Sequence, residues 1–183
     1  MAVLAKLTDE QIVEAVRLRD KELYSEIIRR YQAKLTHYLR KFIGNQDELE
    51  DVLQVVFIKT YRNLYGFDTA KRFSSWIYRI AHNEAVNQIK KYSRKAISLD
   101  ENEWELIDDK MDVNEKTDAS LFKAKVERGL TMISKKYRDP IVLYFFEQKT
   151  YEEISDILRL PRNTVGTLIM RGKGMLRGIL AED

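Results

Sequence analysis

Cysteine is absent from this 183-residue chain, which excludes disulfides and thiolate metal sites. The two histidines, His37 and His82, are isolated and do not by themselves make a metal cluster or a triad, so neither a metal nor a cofactor is expected. Proline is nearly missing too, with two residues, and glycine is sparse, with seven. Little therefore interrupts the apolar spacing of three and four residues that fills almost every window, and an all-α fold is predicted. The longest apolar run, Ile141 to Phe146, is far too short to cross a bilayer, so no membrane insertion is expected. Met1 to Gln11 lacks a basic start, an apolar block and a small-residue cleavage site, and we expect a cytoplasmic protein. No phosphate-cradling glycine loop or paired acid and base is present, and an enzyme is not expected.

Charge is the feature that is unevenly placed. Ser98 to Asp118 carries nine acids against Lys110 and Lys116, a net of −7, so the chain total of +3 leaves +10 on the remainder. A surplus of that sign suits a partner made of phosphates. The acidic stretch has no sustained apolar period and reads as a flexible linker. It divides the chain into two small helical domains, residues 1–96 and 119–183, with 97–118 between them.

In the first part, Thr8 to Gln11 is a capping box ahead of Ile12, Ala15, Val16, Leu23, Ile27, Tyr31, Leu35 and Tyr38, and Gly44-Asn45 is expected to end these helices. A further helix from Gln46 carries Leu49, Val52, Leu53, Val56 and Phe57 inward. Gly66 and Asp68 mark a loop, and helical spacing resumes from Phe73 to Lys91. In the second part, Leu121, Val126 and Leu130 share a helix face. Asp139-Pro140 is read as a cap followed by a first-turn proline. Thr150 to Glu153 is a second capping box, Ile154, Ile157 and Leu158 form a stripe, and Leu160-Pro161 stops that helix.

The last helix, opening near Asn163, turns Val165, Leu168, Ile169 and Leu176 inward. Arg162, Asn163, Thr164, Thr167, Met170, Arg171 and Lys173 are left on or near its outer face. From Arg159 to Leu180 every charged residue is positive. Two short helices about a tight turn, the second basic and hydroxyl-rich outside, suit a reader of the major groove, where Arg pairs with guanine edges. An ordinary helical hairpin is the alternative. Gly166, Gly172, Gly174 and Gly178 each cost about 1 kcal/mol in a helix relative to Ala, which predicts a frayed helix that DNA would order.

Leu49 to Tyr61 carries a second row, Asp51, Gln54, Val55 and Ile58, at i, i+3, i+4 and i+7. It reads either as a docking surface for another helix or as a broad core face with its polar members solvated. Tyr61 to Arg79 interleaves Tyr65, Phe67, Phe73 and Trp76 with Arg72 and Arg79, a composition suited to stacking unpaired bases and following their backbone. Trp76, beside Ile77 and Ile80, fits a helix core equally. Asn83, Asn87, Lys90 and Lys91 then add amides for base edges and cations for phosphates.

In this order the parts resemble the small extracytoplasmic-function sigma factors of bacterial RNA polymerase, which keep a sigma-2-type helical bundle and a sigma-4-type helix-turn-helix domain. LEDVLQVVFIKTY is similar to that family's polymerase-clamp helix, FSSWIYRIAHNEAVNQIKK to its minus-10 segment, and TYEEISDILRLPRNTV to its minus-35 reader. The resemblance implies promoter DNA and core RNA polymerase, through its clamp coiled coil and flap, as partners, and an anti-sigma factor besides. It implies clamp docking by Asp51, Gln54, Val55 and Ile58. It further implies minus-10 capture by Tyr65, Phe67, Arg72, Phe73, Trp76, Arg79, Asn83, Asn87, Lys90 and Lys91, with minus-35 contacts from the last helix. Val55 stands where the family commonly has Glu, Asn87 where many members have Asp, and Gly166 and Leu168 where a basic residue is frequent. A free-standing helix-turn-helix regulator is the rival reading; it leaves Asp51, Gln54 and the aromatic loop unexplained.

Overall fold

A computed structural model describes residues 7–18, 20–98 and 118–182, and every regular element among them is helical. The helices are α1 (Asp9–Leu18), α2 (Tyr24–Arg40), α3 (Gln46–Arg62), α4 (Phe73–Ser98), α5 (Asp118–Met132), α6 (Lys135–Ile141), α7 (Tyr151–Leu158) and α8 (Arg162–Glu182). They fall into two compact units, residues 1–107 and 108–183. The α4 helix runs two residues into the stretch expected as linker, and α5 starts on its final residue. The rest of the acidic segment, 99–117, lies outside the described residues.

In the first unit α2 packs on α3 and α4, and α1 packs on α2 and α4. Ile12, Val13, Ile27, Leu35, Leu49, Val56 and Ile77 are all within 1% of complete burial, and each such side chain contributes roughly 1.5–3 kcal/mol. Thr8 opens α1 as the sequence implies: its Oγ1 accepts from the Gln11 N–H at 3.2 Å, and Gln11 Oε1 accepts from the Thr8 N–H at 2.9 Å. An ion pair joins α1 to α2, from Arg30 to Asp9 at 2.8 Å, and within α2 Arg30 also pairs with Glu26 at 2.7 Å. Hydrogen bonds from Arg29 and Arg30 hold the Glu26 carboxyl down at about 2, so Glu26 stays charged at neutral and mildly acidic pH. Asn45 does not end α2, which stops at Arg40; its side chain accepts from the Glu48 N–H and starts α3 instead.

The second unit corrects two expectations. Asp139 and Pro140 lie inside α6, not at its start. The missing proline N–H removes the α-helical bond to the Lys136 carbonyl, and one π turn, Val142–Phe146, follows directly. Asp139 is buried, and burial pushes its carboxyl up to about 6 against the pull of Arg138 and Lys135. Beyond it, α7 opens on the Thr150–Glu153 capping box and ends on Arg159 in the left-handed region, φ 54° and ψ 46°. That stop comes one residue before Leu160-Pro161.

The expected fraying of α8 is the second correction, because the helix is continuous over 21 residues. A Cβ on Gly172 would lie 2.6 Å from Ile141 Cδ1 and 3.1 Å from Tyr137 Cβ, and one on Gly166 would lie 3.3 Å from the Tyr151 ring. These two glycines let α6 and α7 approach α8. Gly174 and Gly178 meet nothing within 4 Å. Gly174→Ala should therefore raise the melting temperature, gaining about 0.5–1 kcal/mol of helix propensity. Gly172→Ala should lower it, because overpacking costs about 1–3 kcal/mol; thermal unfolding of the two variants checks the contrast.

Candidate nucleic-acid and polymerase interfaces

On α8 the apolar and polar faces separate cleanly. Val165, Leu168 and Ile169 are buried, Thr164 is half-buried, and Arg162, Asn163, Thr167, Met170, Arg171 and Lys173 are exposed. Thr167 Oγ1 donates to the Asn163 carbonyl at 3.0 Å, which leaves its oxygen lone pairs able to accept. Arg162 Nε pairs with Glu152 Oε1 at 2.9 Å while both side chains are more than half exposed. An exposed pair of this kind is worth about 0–1 kcal/mol, so a phosphate would compete for the guanidinium easily.

Helix α3 has the two rows read from its sequence. Leu49, Val52, Val56, Phe57 and Thr60 are buried. Asp51 and Gln54 are exposed, and between them and the helix end Val55 is 38% and Ile58 44% exposed. Beside this row an open groove of about 530 Å³ runs between α2 and α3, with Ile28, Leu49, Leu53 and Phe57 among its apolar lining and Gln54 among its polar lining. Asp51 and Gln54 are solvated, as the broad-core alternative has them, whereas Val55 and Ile58 are only partly covered within their unit.

The segment from Leu64 to Phe73 departs from expectation. Phe67 is 4% exposed and Phe73 fully buried. Phe67 packs edge-on to Phe73 at 5.4 Å and tilted against half-buried Trp76 at 5.0 Å, while Tyr31 closes on Phe73 at 5.6 Å. Neither Phe67 nor Phe73 offers a ring face to an unpaired base. Phe67 leaves a 3-10 turn, Leu64–Gly66, in extended geometry, φ −76° and ψ 131°, and its ring gains by packing against Phe73 and Trp76 of α4. Tyr65, by contrast, is 69% exposed. Further along α4, Asn83, Asn87, Lys90 and Lys91 are exposed and Arg79 is half-buried. The spacing of 79, 83, 87 and 90 puts them on one face. His82 turns the other way, its Nδ1 against Tyr38 Oη at 2.9 Å in the core. Arg72 is exposed at the end of the loop.

Two residues of α1 touch this segment and were not foreseen. Arg17 donates from Nε to the Leu64 carbonyl at 2.9 Å, and from its terminal nitrogen to the carbonyls of Leu64 and Phe67. Glu10 Oε1 accepts from the Phe73 N–H, the first of α4, at 2.9 Å. Their partners are main-chain atoms, which leave no mark in a sequence; the only sign is the pairing of an acid and a base seven residues apart on one helix.

A model of Sigma-70 region 2 matches residues 27–95, and a model of Sigma-70, region 4 matches residues 123–176. The ECF RNA polymerase sigma-E factor of Escherichia coli K12 is 30% identical over 176 residues, 92% of either chain. The chain is an extracytoplasmic-function sigma factor. SigW, an ECF sigma factor of Bacillus subtilis, is 28% identical over 93% of this chain and 95% of its own. Among solved structures, CnrH superposes with a TM-score of 0.71 at 20% identity, covering 96% of this chain and 98% of its own. RpoE of Bartonella quintana gives 0.69 at 18%, covering 87% and 98%. Both share the two-part helical fold. The function is that of an RNA polymerase sigma factor, and the free-standing regulator is set aside.

Because Phe67 is a core residue, Phe67→Ala should cost the first unit about 3–5 kcal/mol and lower its melting temperature steeply. Tyr65→Ala should stay within roughly 0.5 kcal/mol of wild type. Chemical denaturation followed by circular dichroism separates the two.

Proposed function

We propose that this sigma factor divides promoter recognition among three surfaces. The exposed row of α3, Asp51, Gln54, Val55 and Ile58, docks on the clamp coiled coil of core RNA polymerase, with apolar contact from Val55 and Ile58 making up for the missing acid at position 55. Tyr65 and the face of α4 with Arg79, Asn83, Asn87, Lys90 and Lys91 take up minus-10 bases and their phosphates, and Arg72 lies at the loop end of the same surface. The outer face of α8, from Arg162 to Lys173, reads the minus-35 duplex, and its unit meets the polymerase flap. Exposure of two adjacent apolar side chains in the middle of an otherwise well-packed helix carries this reading, since such a row gains by being covered.

Magnitudes require a shared task. Opening about ten base pairs costs on the order of 14 kcal/mol of stacking, whereas stacking two captured bases returns roughly 2–6 kcal/mol. The sigma factor therefore selects, and the polymerase assembly melts. CnrH and RpoE were solved bound to the cytosolic domain of CnrY and to the anti-sigma factor NepR, which supports an anti-sigma partner here as well. The action is on DNA rather than catalytic, and its place is the cytoplasm with the polymerase.

Ile58→Asp should weaken binding to core polymerase at least tenfold, measured by fluorescence anisotropy, with helicity unchanged; wild-type affinity would return that row to a solvated face. Arg171→Ala should cost roughly 1–3 kcal/mol on the selected minus-35 sequence and relax choice at one position. Equal loss on random DNA would instead mark a phosphate contact.

A further inference from the structure

We infer that Arg17 and Glu10, on a helix outside the residues 27–95 matched by the region 2 model, are positioning residues for base capture: they fix both ends of the Leu64–Phe73 segment. This rests on the minus-10 role proposed above. Seven residues are two turns, so Glu10 and Arg17 share one face of α1, about 10 Å apart along its axis. Val13, between them, is fully buried, which keys that face to the core. Arg17 holds the segment's beginning through the Leu64 and Phe67 carbonyls. Tyr65 Oη donates back to the Arg17 carbonyl at 3.2 Å, so the most exposed ring of the segment leans on the same helix. Glu10 holds the other end by capping α4 at Phe73, where a carboxylate also suits the positive end of the helix dipole.

Between these two anchors the chain is short. The Asp68 side chain accepts from the Ala70 N–H at 3.0 Å and its carbonyl accepts from the Lys71 N–H at 2.9 Å, closing a turn. With both ends and the turn fixed, the backbone from Leu64 to Phe73 is preset before DNA arrives, and binding loses less conformational entropy. Arg17 and Glu10 spend their side chains on main-chain atoms of the segment. They act through Tyr65 and through the start of α4.

The test uses holoenzyme reconstituted with core polymerase and a promoter carrying a pre-melted bubble over its library-selected minus-10 strand. The same DNA is made with an abasic site at each minus-10 position in turn. Wild type should lose at least tenfold in affinity at the captured position. Arg17→Ala should shrink that penalty at least threefold, because a misplaced segment gains little from the base. Loss of folded protein alone would lower binding to both DNAs equally and leave the ratio intact. Glu10→Ala, at the other anchor, should shrink the penalty as well, while Glu10→Gln, which keeps an acceptor oxygen, should retain it. A wild-type ratio in both alanine variants overturns the positioning role. Indifference of wild type to every abasic site overturns base capture itself, and the positioning role with it.

Discussion

Burial of the rings of Tyr31, Phe67 and Phe73 with half-buried Trp76 is the interaction on which the first domain depends. A domain of this size has a single small core, and its stability margin is narrow. Here the aromatic cluster joins α2, the segment after α3 and the start of α4. The cluster sets where the backbone of that segment runs, and the exposed Tyr65 and the polar face of α4 take their places from it. Phe67 and Phe73, which look like ligands for bases in the sequence, serve instead as the foundation on which the exposed residues of this surface stand.

What was legible in the chain followed from periodicity and caps. The two rows of α3, the capping boxes at Thr8 and Thr150, and the inward set Val165, Leu168 and Ile169 all emerge from spacing, because a helix repeats its environment every three to four residues. What was not legible depended on partners distant in sequence. Pro140 obeys the rule for a first-turn proline when seen alone, yet α6 already begins at Lys135, and Ile141 and Val142 after the proline are buried in the core. Gly172 looks like a helix breaker until Tyr137 and Ile141 are placed against it. Phe67 sits between Gly66 and Asp68, a loop by composition, and only the tertiary fold reveals a cavity for its ring.

Electrostatics and packing divide the work. Cationic side chains on α8 and Lys90 and Lys91 of α4 are exposed, so their attraction to phosphate is long-ranged, fast and sensitive to salt. Glu26, by contrast, is held charged by Arg29 and Arg30 within its own unit and contributes to the fold. Association is thus governed by one set of charges and folding by another.

Helix α8 is supported on one side by glycine-mediated contact and is free on the other. Thr167, Met170 and Arg171 carry none of the burial that keeps the helix in place, so exchanging them leaves the scaffold unaltered. If that face reads the promoter as proposed, preference is a replaceable layer: mutation can rewrite which genes are served without passing through an unfolded ancestor.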